Sequence, residues 1–250
     1  MEDLIKFELP KLQLLQDANE ISYKEWRRRR RQEHPNGCET ASVQAPIHEG
    51  IVHSPYKISD VVELSFFDFL AKSIRSHGKK IALADEHRMV TYEELMKNLR
   101  CCAALFQAHD VGPGDKVYCH FGNSIEAFVA LYSIAVAGAT VVLSDPEYKE
   151  GEVQQHLETS DATHVVTDLR HSAKFNPRDL RSRIKAYFAV DDVPGFISVS
   201  NYGIYNEDDF REVKRNPERV LVMANTSGTT GQSQCVEITE ERFLRKVCGM

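Results

Sequence analysis

The stretch at residues 127–143, "AFVALYSIAVAGATVVL", is apolar for almost the length of a bilayer-spanning helix. Two features argue against a span. Gly138 interrupts it, and β-branched residues crowd its second half. They divide it into a buried helix followed by a buried strand. A strand apolar at consecutive positions must be covered on both faces, which is the condition of a parallel sheet packed between helices. The same alternation recurs along the chain. "KVYCHF" at 116–121, "HVVTD" at 164–168, "IKAYFAV" at 184–190 and "RVLVMAN" at 219–225 are further apolar strands. Helical patterns lie between several of them. The expected fold is α/β, a mostly parallel sheet with helices on both faces. No internal repeat is visible, and no membrane span is expected.

Local signals fix several boundaries. Ser65 is placed to cap a helix with Asp68 at its third position and Phe66, Leu70 and Ile74 on one face, and Gly78 to end it. "IALAD" and "MVT" read as short strands around a polar turn. Thr91 and Glu94 form a capping box ahead of a stripe at Leu95, Leu99, Cys102 and Phe106, so Cys102 is read as packing. Gly112, Pro113 and Gly114 make a tight turn. Asn123 is expected to cap the following apolar helix, with Glu126 three residues on. Residues 150–160 predict a further helix with Val153 and Leu157 inward.

Composition excludes more than it assigns. A net charge of −6 argues against a general nucleic-acid binder. The six cysteines, at 38, 101, 102, 119, 235 and 248, include no CxxC pair and no zinc spacing, which fits a reduced, intracellular protein. Residues 1–49 differ from the rest. They are charged, carry an unbroken basic run at Arg27–Arg31, and lack the apolar core of a signal peptide. They read as a poorly ordered extension, with 50–250 as the folded unit.

The segment "NTSGTTGQSQCVEIT" at 225–239 is the chemical candidate. Glycines let backbone N–H groups approach an anion, and hydroxyls add donors. Gly228 and Gly231 do not have Walker spacing. The flanking pattern is strand, loop, strand, helix, whereas a Walker loop enters a helix directly. From the residues alone, a phosphate loop and a plain polar turn both remain open.

"TSGTTGQSQ" resembles the phosphate loop of the adenylate-forming superfamily of acyl-CoA synthetases, 4-coumarate–CoA ligases and insect luciferases. That loop reads T-S-G-T-T-G-x-P-K-G. "TYEEL" at Thr91, "VGPGDKV" at Val111, "NSIEAFVALYSIAVAGATVVLSDP" at Asn123 and "HLETSDATHVVTD" at His156 are similar to family stretches in the family's order. "SPYKISDVVELSFFDFL" at Ser54 is similar to the opening of the luciferase and coumarate-ligase branch. The resemblance covers residues 50–247. It implies the N-terminal domain of an acyl-CoA synthetase-like fold, in part. It also implies two half-reactions. A carboxylate, fatty or aromatic, attacks the α-phosphate of ATP to give an acyl-adenylate, and coenzyme A then displaces AMP. ATP with magnesium and coenzyme A are the implied cofactors. Thr226, Ser227, Gly228, Thr229, Thr230 and Gly231 inherit the β- and γ-phosphate contacts. No catalytic residue and no metal ligand is assigned.

Ser233, Gln234 and Cys235 stand where the family has P-K-G. Gln234 donates hydrogen bonds without a charge, so the expectation is a weakened phosphate site in a chain truncated after its loop and inactive alone. The alternative is a non-enzymatic remnant that binds a nucleotide weakly, or a protein partner. Lys246 and Arg245 are the candidate replacement cations. The chain has no C-terminal peroxisomal tripeptide, so the cytoplasm is the expected compartment.

Overall fold

The computed structural model describes residues 63–85, 88–177, 183–225 and 235–248, together with the strand pair 47–48 and 51–52. That pair, β1 (Ile47–His48) and β2 (Ile51–Val52), is antiparallel and straddles the boundary expected at 49/50. The rest of the proposed extension, with Arg27–Arg31, lies outside the described residues.

Helix α1 (Phe66–Arg75) starts where a capping box forms. The Ser65 hydroxyl accepts from the Asp68 N–H, and the Asp68 carboxylate accepts from Ser65. Strands β3 (Ile81–Ala84) and β4 (Met89–Thr91) then make a small antiparallel pair. Thr91 and Glu94 cap α2 (Tyr92–Ala108) as their spacing predicts. Leu95, Leu99, Cys102 and Phe106 are all buried on it. The Cys102 thiol is pushed up to about 12 by burial, as expected of a packing residue.

The main sheet begins with β5 (Lys116–His120), α3 (Ile125–Val136), β6 (Thr140–Leu143), α4 (Glu150–Ser160) and β7 (His164–Thr167). It continues through β8 (Ala186–Ala189), β9 (Ile197–Ser198), β10 (Val220–Asn225) and β11 (Cys235–Thr239), and α5 (Glu240–Cys248) follows. The strand order is β11-β10-β6-β5-β7-β8-β9, and every pairing is parallel except β10 with β11. The long apolar stretch is therefore a helix and a strand, with Gly138 between them at a φ of +99°. A Cβ there would lie 3.0 Å from Pro113 Cγ and 3.1 Å from Val213 Cγ1, so the position excludes a side chain on two counts.

Winding reverses around β5. From β5 the chain adds β6 on one side, then returns across it to add β7 on the other. Right-handed crossovers put the two connecting helices on opposite faces. The cores agree. Val117, Cys119, Val141 and Phe188 pack with Leu99, Ile125 and Leu244 on one face. Tyr118, Val142, Val165 and Met223 pack with Val153, Leu157 and Phe175 on the other.

One cap differs from expectation. Ser124, not Asn123, caps α3, accepting from the Ala127 N–H at 3.0 Å. With the cap at Ser124 the third helical position is Ala127, so no capping box forms, and the Glu126 carboxylate pairs instead with Arg88 beside β4.

Candidate functional site

In an open α/β sheet, the carboxyl ends of strands whose connections diverge to opposite faces leave a crevice. Here that point lies between β5 and β6. It is filled by the protein's own polar groups. Lys174 Nζ donates to the Pro146 carbonyl at 2.9 Å, to the Tyr148 carbonyl at 2.6 Å and to His120 Nε2 at 3.1 Å. An ammonium only donates, so Nε2 must accept and Nδ1 must carry the ring proton. That proton goes to Ser144 Oγ at 2.8 Å, and Ser144 also meets the Tyr118 hydroxyl at 2.7 Å. Burial, and then the Lys174 charge, push His120 down to about 4, so the ring is neutral at physiological pH. Beside it, burial works to raise the Asp168 carboxyl. The Gly122 N–H at 2.8 Å and the His171 ring and backbone overcome that, and hold it below the ordinary carboxylate range.

The second candidate region is the open end of the β10–β11 hairpin. Asn225 pairs with Cys235 in register, so strands flank the predicted loop on both sides. Thr226, Ser227, Gly228, Thr229, Thr230, Gly231 and Gln234 lie outside the described residues. β10 ends at the carboxyl edge of the sheet, the edge that also carries His120 and Ser144.

Below this opening sits His156 on α4, a residue that sequence reasoning passed over. It is 5% exposed, and neither ring nitrogen has a formed hydrogen bond. The ring meets Tyr118 edge-on at 5.2 Å and Tyr148 at 5.9 Å. Burial pushes its pKa down, and the Asn225 side chain acts in the opposite sense. A usable signal was present in the sequence. Val153, His156, Leu157 and Ser160 follow i, i+3, i+4, i+7, and all four are buried.

The candidate replacement cations do not gather here. Arg245 is paired with Glu241, at 2.7 Å from Nη2 and 3.1 Å from Nε. Helix α5 starts at the opposite end of β10, where the Glu240 N–H donates to the Arg219 carbonyl at 2.8 Å. Lys246 is exposed on the last turn of that helix. Among the described residues no group of three or more His, Cys, Asp or Glu side chains is placed to hold a metal ion. No helix among them is long and apolar enough to cross a membrane.

Comparison with known proteins agrees with this architecture. Over 204 residues the chain is 26% identical to malformin synthetase mlfA of Aspergillus luchuensis, covering 81% of this chain and 4% of that protein. It is 27% identical to 4-coumarate–CoA ligase 2 of Nicotiana tabacum, covering 64% of this chain and 30% of the ligase. The crystal structure of a long-chain-fatty-acid–CoA ligase from Archaeoglobus fulgidus superimposes with a TM-score of 0.64 and 26% identity, over 72% of this chain and 37% of that one. The chain thus spans about a third of each of these two CoA ligases. Residues 70–250 match the AMP-binding enzyme family profile, on a parallel sheet shared with a solved ligase, and the chain belongs to that family.

Proposed function

We propose that residues 226–234 are the phosphate-holding loop of an ATP-dependent acid–thiol ligase. The observation that carries this is the hairpin. A parallel strand ends at Asn225 on the carboxyl edge of the sheet, and the chain returns as an antiparallel strand from Cys235. The intervening T-S-G-T-T-G run supplies backbone N–H groups, and the hydroxyls of Thr226, Ser227, Thr229 and Thr230, as donors to the β- and γ-phosphates. The chemistry asked of such a loop is positioning and charge stabilisation of the pyrophosphate that leaves. Gln234 contributes a neutral donor. Losing a charge-assisted contact lowers phosphate affinity by about 1–2 kcal/mol. The described residues offer no fitting cluster for magnesium, so no step is assigned to it.

The names of the relatives support a carboxylic acid substrate, aromatic or fatty, with coenzyme A as thiol acceptor. The chain spans about a third of each CoA ligase it is compared with.

Thermal melting across ATP and salt concentrations tests the loop. The expected result is a weak response in the wild type and a larger, salt-sensitive one in Gln234→Lys, because the added contact is electrostatic and ligand binding raises the melting temperature by mass action. If neither form responds to ATP, the loop is only a polar turn. Formation of a thioester from coenzyme A, ATP and a panel of fatty and aromatic acids by the chain would overturn the inactivity expected from its sequence.

A further inference from the structure

Lys174 Nζ sits where a bound cation would sit. Its contacts come from two other parts of the chain. One is the end of β5, through His120 Nε2 at 3.1 Å, and the other is the turn between β6 and α4, through the Pro146 and Tyr148 carbonyls at 2.9 and 2.6 Å. An ammonium has three N–H donors, and these three acceptors saturate it. None of them is a carboxylate, and among the described residues Lys174 makes no ion pair.

The acceptors explain why a positive charge belongs there. Pro146 and Tyr148 alternate along a tight turn, closed by the Tyr148 N–H donating to the Asp145 carbonyl at 3.1 Å. Their oxygens converge on one point, so two carbonyl dipoles present like ends to each other. The lone pair of the fully buried His120 ring is aimed at the same point. Three such acceptors with no donor would repel one another and forfeit their hydration. Oxygen-rich concavities of this kind are what hard cations occupy. The plain alternative is a surface lysine whose stem lies along the crevice. A lysine of that kind keeps its ammonium in water. Lys174 is only partly buried as a residue, yet all three of its donors are used inside the protein.

We propose that the Pro146 and Tyr148 carbonyls and His120 Nε2 form a site for a primary ammonium, and that Lys174 is its tethered occupant. The ammonium pins the β6–α4 turn to the end of β5. By taking Nε2 as its acceptor it also sets the direction of the hydrogen bonds behind it, so that the His120 Nδ1–H donates to Ser144 Oγ. Lys174 is thus a positioning residue for His120 and Ser144. The segment that carries it is docked at its other end as well, where Asp168 accepts from the Gly122 N–H at 2.8 Å. The inference is independent of the reading of 226–234.

Chemical rescue tests it. Lys174→Ala keeps Cβ, so n-propylammonium supplies the atoms that are missing. The full chain, wild type and variants, is melted with n-propylammonium, tetramethylammonium or sodium chloride at matched ionic strength. Lys174→Ala should lower the melting temperature by about 4–8 °C. The primary ammonium should recover at least half of that loss. Tetramethylammonium, a charge with no N–H donor, and sodium should not. Lys174→Met should melt low and fail to respond, because its side chain fills the slot the amine needs. The 15N resonances of the His120 ring give a second readout. In the wild type the proton should be on Nδ1. Lys174→Ala should shift the Nε2 resonance, and n-propylammonium should return it. An unchanged melting temperature in Lys174→Ala, a loss that n-propylammonium does not recover, or equal recovery by all three salts would overturn the proposal. If Lys174→Ala does not fold by circular dichroism, the ring resonances of the wild type and Lys174→Met decide. A wild-type ring protonated on Nε2, or an Nε2 resonance unmoved in Lys174→Met, would overturn it, and the opposite pair of results would support it.

Discussion

The two ends of the β10–β11 hairpin are built on opposite plans. At the closed end, Glu240 is 1% exposed, and its carboxylate accepts from the Phe66 N–H at 2.6 Å while lying 3.1 Å from Arg219 Nη2. One side chain therefore joins the start of β10, the start of α5 and the start of α1. The Arg219 contact is one of charge more than alignment, since Glu240 Oε2 and Arg219 Nε and Nη1 have no aligned hydrogen bond. At the open end, Asn225 and Cys235 are only partly buried, and the neighbouring His156 is left unmatched. Rigidity is concentrated where the hairpin meets the fold, and unspent hydrogen-bonding capacity where it meets the proposed ligand.

The largest effect that would test this contrast is at the closed end. Glu240→Ala should cost about 3 kcal/mol, because it leaves Arg219 charged and buried and the Phe66 N–H unmatched. Urea denaturation measures it. Asn225→Ala should stay within about 1 kcal/mol. Equal losses at the two ends would break the comparison.

Acid should come next. The unfolded His120 ring titrates near 6.5 and the folded ring at about 4, so the unfolded chain takes up the proton first. The contribution is fully present above 6.5 and is lost as pH falls toward 4, on the order of 2–3 kcal/mol. Burial shifts His156 and His164 in the same direction, so they add to the effect. A stability profile flat from pH 7 to 4.5 would contradict the described crevice.

Lys174→Met should be smaller, about 2 kcal/mol, since it leaves three acceptors without their donor. It also removes a positive charge beside His120, so the folded ring takes up its proton at higher pH and the stability that His120 loses between pH 6.5 and 4 should be smaller. The smallest effect is the gain from Gln234→Lys, about 1 kcal/mol in ATP binding and less in high salt. A comparable loss of ATP binding in Lys174→Met would show that the crevice, and not only the hairpin, serves the nucleotide.

What the sequence made legible was local or periodic. Ser65 with Asp68, and Thr91 with Glu94, announce helix starts because both partners lie within one turn. The split of residues 127–143 followed from Gly138 and β-branching alone. The cap at Ser124 was not legible in the same way. Asn123 is an equally good capping type, and the partner that takes Glu126 is Arg88, far away in sequence. The crevice was hidden for a similar reason. His120, Ser144 and Lys174 meet only because winding reverses around β5, and nothing in their spacing reports that. The hairpin was anticipated from the apolar runs flanking the loop. His156 shares its helical stripe with Val153, Leu157 and Ser160, so its burial is legible in the period although its surroundings are not.

The strand order also sets an order of assembly. β5, β6, β7 and β8 come from one continuous stretch, residues 116–189, and can pair as soon as that stretch exists. β10 arrives later and inserts on the outer side of β6, where Val222 and Met223 pair with Val141 and Val142 and the Thr140 hydroxyl donates to the Val220 carbonyl at 2.7 Å. Until then β6, the apolar half of the longest hydrophobic stretch, is an open parallel edge. On a ribosome that edge is the region most exposed to mispairing, and the hairpin that presents the loop is also what shields it.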